Sequence, residues 1–479
     1  MNPRLESLAP FPTDDHDPGR ERFVLLKGTR QVFLASDELF ALVADARIDD
    51  AGAVVRESRI EAERLAGLGF LGGERVAPID AASSRILCLH LAHGCNLACR
   101  YCNVGQGTYG DDLTLMTTEV ADAAFEMLEQ QERVRPGSPP MLMLFGGEPL
   151  LNWPVLEHVT RRFRKRYPAP PADVWLVTNA TLLTADRARL LRDLDVFTLV
   201  SLDGPPEYHD AMRPFVRGGG SHAATLRGLR HLEDAEVRHV IRSTWKPGCG
   251  AREELLTYLR ATARKALQVT VSADFSSSAD GVAAYGESVR REWQAFEDSG
   301  YRTHAPASSA IIIDHVLRAD WAPVRGCPAG DTGLSITPSG DIHPCQVSVA
   351  RKLAPLGNVL QGAVGSTPTA ETRTRLHLDD RGPACADCLE APFCGGPCLF
   401  LRPLHQRQQH CDTQRMELIH SFRYAARQPV AELVGRYRLG LVTERDVRAL
   451  QRGAALRNIA WSLNRHLRPL ALCPNAGAK

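Results

Sequence analysis

The chain has 479 residues, of which 44% are apolar and 24% charged, as in soluble globular proteins of about two to four domains. Its 57 basic and 56 acidic residues leave a net charge of +1, so charge favours neither nucleic acid nor a membrane as partner. No run of about 18 apolar residues could span a bilayer. Residues 1–21 have no secretion signal and are expected to be a disordered tail. Thirteen cysteines then indicate metal ligation in a reducing compartment, and we expect a cytoplasmic iron–sulfur protein.

Residues 22–85 have the pattern of a small unit of their own. The runs 22–28 and 30–35 predict a strand pair, and Ser36 is a good N-cap for the first of two short helices. The arrangement resembles the winged-helix-like domain that recognises leader peptides in the biosynthesis of ribosomally made peptides. That resemblance implies a precursor peptide that adds as a strand to an exposed sheet edge. The alternative is a simple cap on the following domain.

Residues 86–310 alternate strands with helices, which predicts an α/β fold with a parallel sheet. Six such units form an incomplete relative of the eightfold barrel, a partial (β/α)6 TIM barrel, whose chemistry is expected at the carboxyl ends of the strands. The predicted strands are 86–91, 140–145, 174–179, 196–202, 237–244 and 267–273. The predicted helices lie near 117–131, 153–166, 184–193, 222–235, 251–264 and 284–299.

Three cysteines, Cys95, Cys99 and Cys102, follow the first of these strands with the spacing C-x3-C-x2-C. Three thiolates in one loop can bind three irons of a cubane cluster and leave the fourth iron open to a small molecule. An open iron can chelate the amino and carboxylate groups of S-adenosylmethionine (SAM) and deliver one electron to its sulfonium. The spacing, with Tyr101 before the last cysteine, resembles the signature of the radical SAM superfamily. A zinc knuckle or a disulfide clasp is the alternative, but zinc sites usually pair two C-x2-C motifs, and no second motif lies between 103 and 248.

The next three strands end in motifs that fit the same resemblance. Gly146 and Gly147 allow the backbone to approach a ligand closely, and the Glu148 carboxylate can accept hydrogen bonds from an ammonium group. The three residues match the superfamily motif that binds the SAM amino group. In relatives, the positions of Asn179 and Ser201 help to hold the ribose and the methionine carboxylate.

Arg242, within the fifth strand, could supply a cation to that carboxylate. The alternative is an outward-facing arginine on a surface strand. The side chains of His93, Tyr109 and His209 are of types that more often pack or form hydrogen bonds, and we assign them no chemical role.

A second cysteine array follows the barrel and resembles the SPASM extension, which carries two auxiliary iron–sulfur clusters in peptide-modifying radical SAM enzymes. The segment 334–345 predicts a hairpin that turns at Ser339-Gly340, as that extension has. In relatives the second auxiliary cluster is bound at the positions that match Cys385, Cys388, Cys394 and Cys411. The first is bound at the positions that match Cys327, Cys345 and Cys398. We expect this extension over 311–411 and a helical extension over 412–479.

Some relatives add a fourth ligand to the first auxiliary cluster about six residues after its first cysteine, where this chain has Gly333. The departure leaves three obvious thiolates and implies an iron open to a substrate thiolate or water. The alternative is a fourth ligand from elsewhere, such as Cys249, a carboxylate or His343. Cys88, Cys249 and Cys473 lie outside both arrays and are expected to be buried and inert.

Together these resemblances imply a radical SAM/SPASM maturase of a ribosomally made peptide, with SAM and three [4Fe–4S] clusters as cofactors. The motif run from Leu89 to Cys102 is most similar to enzymes that form thioether crosslinks, such as the maturases of cysteine-rich short peptides (SCIFF) and of the quinohemoprotein amine dehydrogenase small subunit. The expected partners are a precursor peptide and a reductant such as flavodoxin or ferredoxin. The alternatives are a carbon–carbon crosslinking (cyclophane) or epimerising maturase, a sulfatase maturase, and a non-catalytic iron–sulfur binding module.

Overall fold

The computed structural model describes the elements of the predicted barrel and parts of the regions on either side of it. The described residues are 8–11, 22–26, 31–35, 85–110, 113–134, 140–168, 172–247, 249–274, 279–300, 306, 329–330, 333–361, 407–427 and 467–469.

A twisted ten-stranded sheet forms the centre of the molecule, and its parallel part agrees with the predicted α/β fold. Six parallel strands follow one another in chain order across the sheet. Short β5 (Thr114–Leu115) pairs with the first of them. The six are β4 (Arg85–His93), β6 (Pro140–Gly146), β7 (Asp173–Thr178), β8 (Val196–Ser201), β9 (His239–Trp245) and β10 (Val269–Ala273).

Helices connect these strands and bury their apolar sides against the sheet. The second helix shows why: Val155, Leu156, Val159 and Phe163 recur at helical spacing and are all buried in the core. The helices are α1 (Thr118–Val134), α2 (Trp153–Arg166), α3 (Ala185–Asp193), α4 (Pro206–Met212), α5 (His222–Asp234), α6 (Arg252–Thr262) and α7 (Ala279–Asp298). The predicted strands and helices of the barrel are thus confirmed to within a few residues, except that α7 begins five residues early and α4 was not predicted.

The hairpin predicted after the barrel exists and also extends the barrel sheet. Strand β11 (Gly333–Ile336) turns at Gly340 into antiparallel β12 (Asp341–His343), which pairs with β13 (Gly357–Asn358). On its other side, β11 runs parallel to β4 and forms a seventh parallel strand. The short helix α8 (Gln346–Ala350) follows the hairpin.

A second, four-stranded sheet joins segments from the two ends of the chain. The predicted strand pair is present as β2 (Arg22–Leu26) and β3 (Gln31–Ala35), which run antiparallel. The structure differs from the expected disordered tail at β1 (Leu8–Phe11), an apolar run that satisfies its backbone groups by pairing with β2. It also differs from the expected helical extension at β14 (Leu467–Pro469), which pairs with β3.

The remaining predictions for the flanking regions fall partly outside the described residues. Helix α9 (Arg407–Arg427) bears out the helical periodicity of the C-terminal part and begins before Cys411. The helices predicted after Ser36 and Val54 lie outside the described residues. Among the helices that the structure describes, none combines the length and apolar character needed to cross a membrane.

Candidate active site

The loop that follows β4 carries Cys95, Cys99 and Cys102, whose thiols are free and partly exposed. This loop emerges at the carboxyl edge of the parallel strands, where α/β sheets place their ligands.

Residues 212–216 hold the cysteine loop from one side by backbone hydrogen bonds. Ala98 N–H donates to the Pro214 carbonyl at 2.8 Å, and Arg100 N–H donates to the Met212 carbonyl at 2.9 Å. A further bond joins Val216 N–H to the carbonyl of Asn96 at 3.0 Å. These three backbone hydrogen bonds attach the cysteine loop, which has no regular secondary structure of its own, to residues 212–216.

Gly146 and Gly147 end β6 against the start of the same loop. Gly146 has φ of 133°, a conformation that favours glycine, and Gly147 N–H donates to the Ala92 carbonyl at 2.8 Å. A Cβ on Gly147 would lie 2.1 Å from the Gly94 carbonyl oxygen, so no side chain fits there. The two glycines therefore let the second strand end in contact with the cysteine loop.

The side chain of Glu148 is buried directly behind this turn and accepts three hydrogen bonds. They come from Leu150 N–H at 3.0 Å, Thr178 Oγ1 at 2.7 Å and Asn179 N–H at 2.8 Å. Burial nevertheless raises the pKa of Glu148 to about 7, against the effect of these bonds. A cationic ligand would reverse that shift, so the site suits an ammonium group.

All the residues predicted to bind the cluster and SAM line one cavity of about 430 Å³ at the carboxyl edge of the sheet. The walls add apolar and aromatic side chains from β6, β7 and β8, and one carboxylate, Asp274, from the end of β10. The predicted residues that it brings together are Cys95, Cys99, Cys102, Gly146, Gly147, Glu148, Asn179, Ser201 and Arg242.

Arg242 lines the cavity, as expected of a residue that supplies a cation there, and its side chain is exposed. Desolvation by the cavity walls lowers the pKa of its guanidinium. Among the described residues no carboxylate forms an ion pair with it, although the side chain remains accessible to solvent. The arginine is therefore available to an anionic ligand in the cavity.

Hydrogen-bond donors point at the sulfurs of the cysteine loop. Leu97 N–H lies 3.4 Å and Asn179 Nδ2 3.8 Å from Cys95 Sγ, while Arg213 Nη1 lies 3.8 Å from Cys99 Sγ. Burial raises the pKa of the Cys95 thiol to about 12 and also raises that of Cys99, which Arg213 opposes. The thiols therefore ionise when a metal displaces their protons, and the donors suit the resulting thiolates.

Four residues form a connected group beside the cysteine loop, and none of them is among the predicted cluster or SAM ligands: Tyr101, Asp203, His209 and Arg213. Asp203 is fully buried, and its Oδ2 lies 2.9 Å from Arg213 Nε and also accepts a hydrogen bond from the Tyr101 hydroxyl. Burial and the nearby Arg213 lower the pKa of His209 to about 3, so the imidazole is neutral, and its Nδ1 accepts from Asp203 N–H at 3.2 Å. The run His209-Asp-x-x-Arg213 in the sequence was the available signal.

The second cysteine array is only partly described. Cys345 is the N-cap residue of α8, whose Gln346 and Val347 line the cavity, and Cys411 lies in α9. Gly333 begins β11, and His343, at the end of β12, is buried with no hydrogen-bond partner for Nδ1 among the described residues. The other predicted ligands, Cys327, Cys385, Cys388, Cys394 and Cys398, lie outside the described residues. Of the cysteines expected to be inert, Cys88 is buried and Cys249 is partly exposed, while Cys473 is also outside.

The sequence profile of the Radical SAM superfamily matches residues 89–248, about a third of the chain. Among curated relatives, the serine-type anaerobic sulfatase-maturating enzyme of Klebsiella aerogenes is 26% identical over 282 residues, which cover 56% of this chain and 68% of that protein. The radical SAM cyclopropyl synthase TigE of Paramaledivibacter caminithermalis is 27% identical over 156 residues, 30% of this chain and 32% of that protein. The chain spans less than half the length of the first curated relatives it matches.

A solved structure of anSMEcpe with bound AdoMet and the Cp18Cys peptide has the same fold. The two chains superpose with a TM-score of 0.56 and 18% sequence identity over 71% of this chain and 97% of that one. Residues 89–248 therefore match a Radical SAM domain, in a fold that is shared with anSMEcpe. Such a domain implies SAM and a [4Fe–4S] cluster, and the cysteine loop and cavity fit both.

Proposed function

We propose that the protein is a radical SAM/SPASM maturase that forms a thioether crosslink in a ribosomally made peptide. The observation that carries the proposal is that the three-cysteine loop, the buried Glu148 and the exposed Arg242 all line the same cavity. Similarity to a sulfatase-maturating enzyme and to TigE supports a substrate that is itself a peptide or protein. The hairpin and the cysteines of the SPASM-like array support auxiliary clusters, and the β2–β3 pair supports a site for a leader peptide.

The chain's own residues bind and orient the reactants. Glu148 would accept hydrogen bonds from the SAM ammonium, and Arg242, with Ser201 on the adjacent strand, would hold its carboxylate. Asn179 would contact the ribose. When bound, the cluster and SAM supply a 5′-deoxyadenosyl radical by one-electron cleavage of the sulfonium. The apolar walls of β6, β7 and β8 exclude water and hold the target carbon, since a primary radical takes any hydrogen within reach.

The first experiment is reductive cleavage of SAM by the anaerobically reconstituted protein. We expect 5′-deoxyadenosine from the wild type, and none after combined substitution of Cys95, Cys99 and Cys102 by Ala. Cys249→Ala is the matched control, because this thiol lies outside the cavity, and it should retain cleavage. Continued cleavage in the triple variant would exclude this cluster site.

The bond formed is tested with the peptides encoded next to the gene. A thioether removes two hydrogens and one alkylatable thiol from the peptide, and mass spectrometry after iodoacetamide treatment detects both. A carbon–carbon crosslink also removes two hydrogens but leaves every thiol alkylatable.

Sulfatase maturation is the second candidate, favoured by the match to the Klebsiella aerogenes enzyme. It would produce a formylglycine whose carbonyl reacts with hydrazides. A hydrazide-reactive product without thioether would establish this candidate in place of ours.

We also propose that the auxiliary cluster at Cys327, Cys345 and Cys398 has an open iron that ligates a substrate thiolate. Gly333 offers no ligand, so the iron is open unless Cys249, a carboxylate or His343 binds it. Substitution of His343 by Ala should leave the iron content and the spectrum unchanged, whereas addition of a cysteine-containing substrate peptide should change the spectrum of this cluster alone. Loss of iron in the His343 variant, or no response to the peptide, would contradict an open iron.

A further inference from the structure

A buried ion pair lies directly beside the cysteine loop. Asp203 follows β8 and is completely buried, and Arg213, after α4, is 9% exposed. Arg213 Nε lies 2.9 Å from Asp203 Oδ2. Asp203 Oδ2 also accepts a hydrogen bond from the Tyr101 hydroxyl, and Oδ1 accepts one from Thr244 N–H at 3.1 Å, so both oxygens have partners.

Among the predicted cluster ligands that the structure describes, the cation of this pair contacts Cys99 alone. Arg213 Nη1 donates to Cys99 Sγ at 3.8 Å, and the guanidinium lies over the Tyr101 ring, 5.2 Å from its centroid. The sulfur of Cys95 receives hydrogen bonds from neutral groups instead. Burial alone would lower the pKa of Arg213, but the Asp203 carboxylate, with Tyr101 and Cys99, reverses this and raises it, so the charge is permanent.

Surrounding hydrogen bonds fix the position of the pair. The carbonyl of Arg213 accepts from Ser221 Oγ at 2.6 Å, and Ser221 Oγ accepts in turn from His209 Nε2 at 3.0 Å. His209 Nδ1 accepts from Asp203 N–H, which closes a ring of contacts around the pair. Neither charge can therefore move far when the charge of a neighbouring group changes.

A fixed, buried charge beside Cys99 changes the reduction potential of any redox centre that this cysteine binds. Hydrogen bonds to the sulfurs and nearby charges are the main means by which proteins set iron–sulfur potentials. Reduction adds an electron, which a neighbouring cation stabilises and a neighbouring anion destabilises, and screening is weak in a buried site.

We propose that Arg213 and Asp203 are positioning residues that together set the reduction potential of the cluster bound by Cys95, Cys99 and Cys102. The inference rests on the proposed cluster binding. Arg213 raises the reduction potential by placing its positive charge beside the Cys99 sulfur, and Asp203 limits that rise because its negative charge offsets most of the positive one. The reduction potential of the cluster therefore lies between two values: the higher one that Arg213 alone would give and the lower one that Asp203 alone would give.

The test is an EPR-monitored redox titration of the reconstituted full chain. Arg213→Gln should lower the midpoint potential and Asp203→Asn should raise it, each by at least about tenfold in the reduction equilibrium, or about 59 mV for one electron. The double variant restores net neutrality and should return towards the wild type, and Arg213→Lys should lie between Arg213→Gln and the wild type. Arg217→Gln, an exposed arginine four residues further along, is the control with the same change of charge and should leave the potential unchanged.

We expect the midpoint potentials of the two single variants to shift in opposite directions. A purely structural role would impair cluster binding in both variants and would not shift the two potentials in opposite directions. Potentials that stay within error of the wild type, or move in one direction in both, would overturn the inference. If Arg213→Gln retains no cluster, the directions found for Arg213→Lys and for the near-isosteric Asp203→Asn decide it in the same way. Absence of a cluster from the wild type would instead refute the proposed function.

Discussion

The ionisation of Glu148 should make ligand binding in the cavity depend on pH. Its pKa of about 7 in the ligand-free fold exceeds the usual 4.5, so the folded chain binds this proton more tightly than the unfolded chain does. The stabilisation from the bound proton is complete below pH 4.5 and is lost as pH rises through about 7. A SAM ammonium requires the opposite state, the ionised carboxylate.

SAM should therefore bind more weakly as pH falls below 7, by up to about tenfold per unit, because the carboxyl group must first lose its proton. Isothermal titration of the reconstituted protein between pH 5.5 and 7.5 measures this dependence. Glu148→Gln should bind SAM weakly and without the pH slope. Glu126→Gln, an exposed carboxylate on α1, should keep the wild-type slope. A flat profile in the wild type would show that Glu148 does not receive the ammonium.

At the scale of elements, the strands and helices of the barrel were predictable because each carries its own hydrophobic periodicity. The placement of the three cysteines, Glu148 and Asn179 was predictable as well, since carboxyl ends of parallel strands share one edge. The parallel pairing of β11 with β4 was not predictable, because the two strands are about 250 residues apart in the chain and the local hairpin pattern contains no information on that pairing. Nor was the clamp formed by residues 212–216, which uses backbone groups and leaves no side-chain pattern.

That clamp depends on Ser221, which is fully buried and bonds both to His209 and to the carbonyl of Arg213. Ser221→Ala would leave two buried polar groups without this partner, at a cost of about 1–3 kcal/mol each. We expect a lower urea midpoint for the full chain and faster loss of iron to a chelator. Thr257→Ala, which removes an exposed hydroxyl on α6, should change neither measurement. Equal iron loss in both variants would mean that the clamp does not stabilise the cysteine loop.

At the scale of the whole molecule, the small sheet connects the proposed leader site to the far end of the chain. Its order is β1-β2-β3-β14, so β3 is already paired on both sides. A leader peptide that adds as a strand needs an unpaired edge. Strand β14 covers only three residues of β3, and Pro469 has no N–H to donate, so it is a weak occupant of that edge.

If the leader adds to β3, removing β14 should strengthen its binding, because the competent edge is then always available. We expect up to about tenfold tighter binding for a chain that ends at residue 466, measured by fluorescence anisotropy with the labelled leader of the neighbouring precursor. A chain that ends at residue 469 keeps β14 and should bind like the full chain, which separates loss of the strand from loss of the tail. Deletion of residues 22–85 should abolish binding. If the chain without residues 22–85 bound the leader with unchanged affinity, these residues would be only a cap on the barrel. If the chain that ends at residue 466 bound the leader more weakly than the full chain, the leader would contact β14 and not β3.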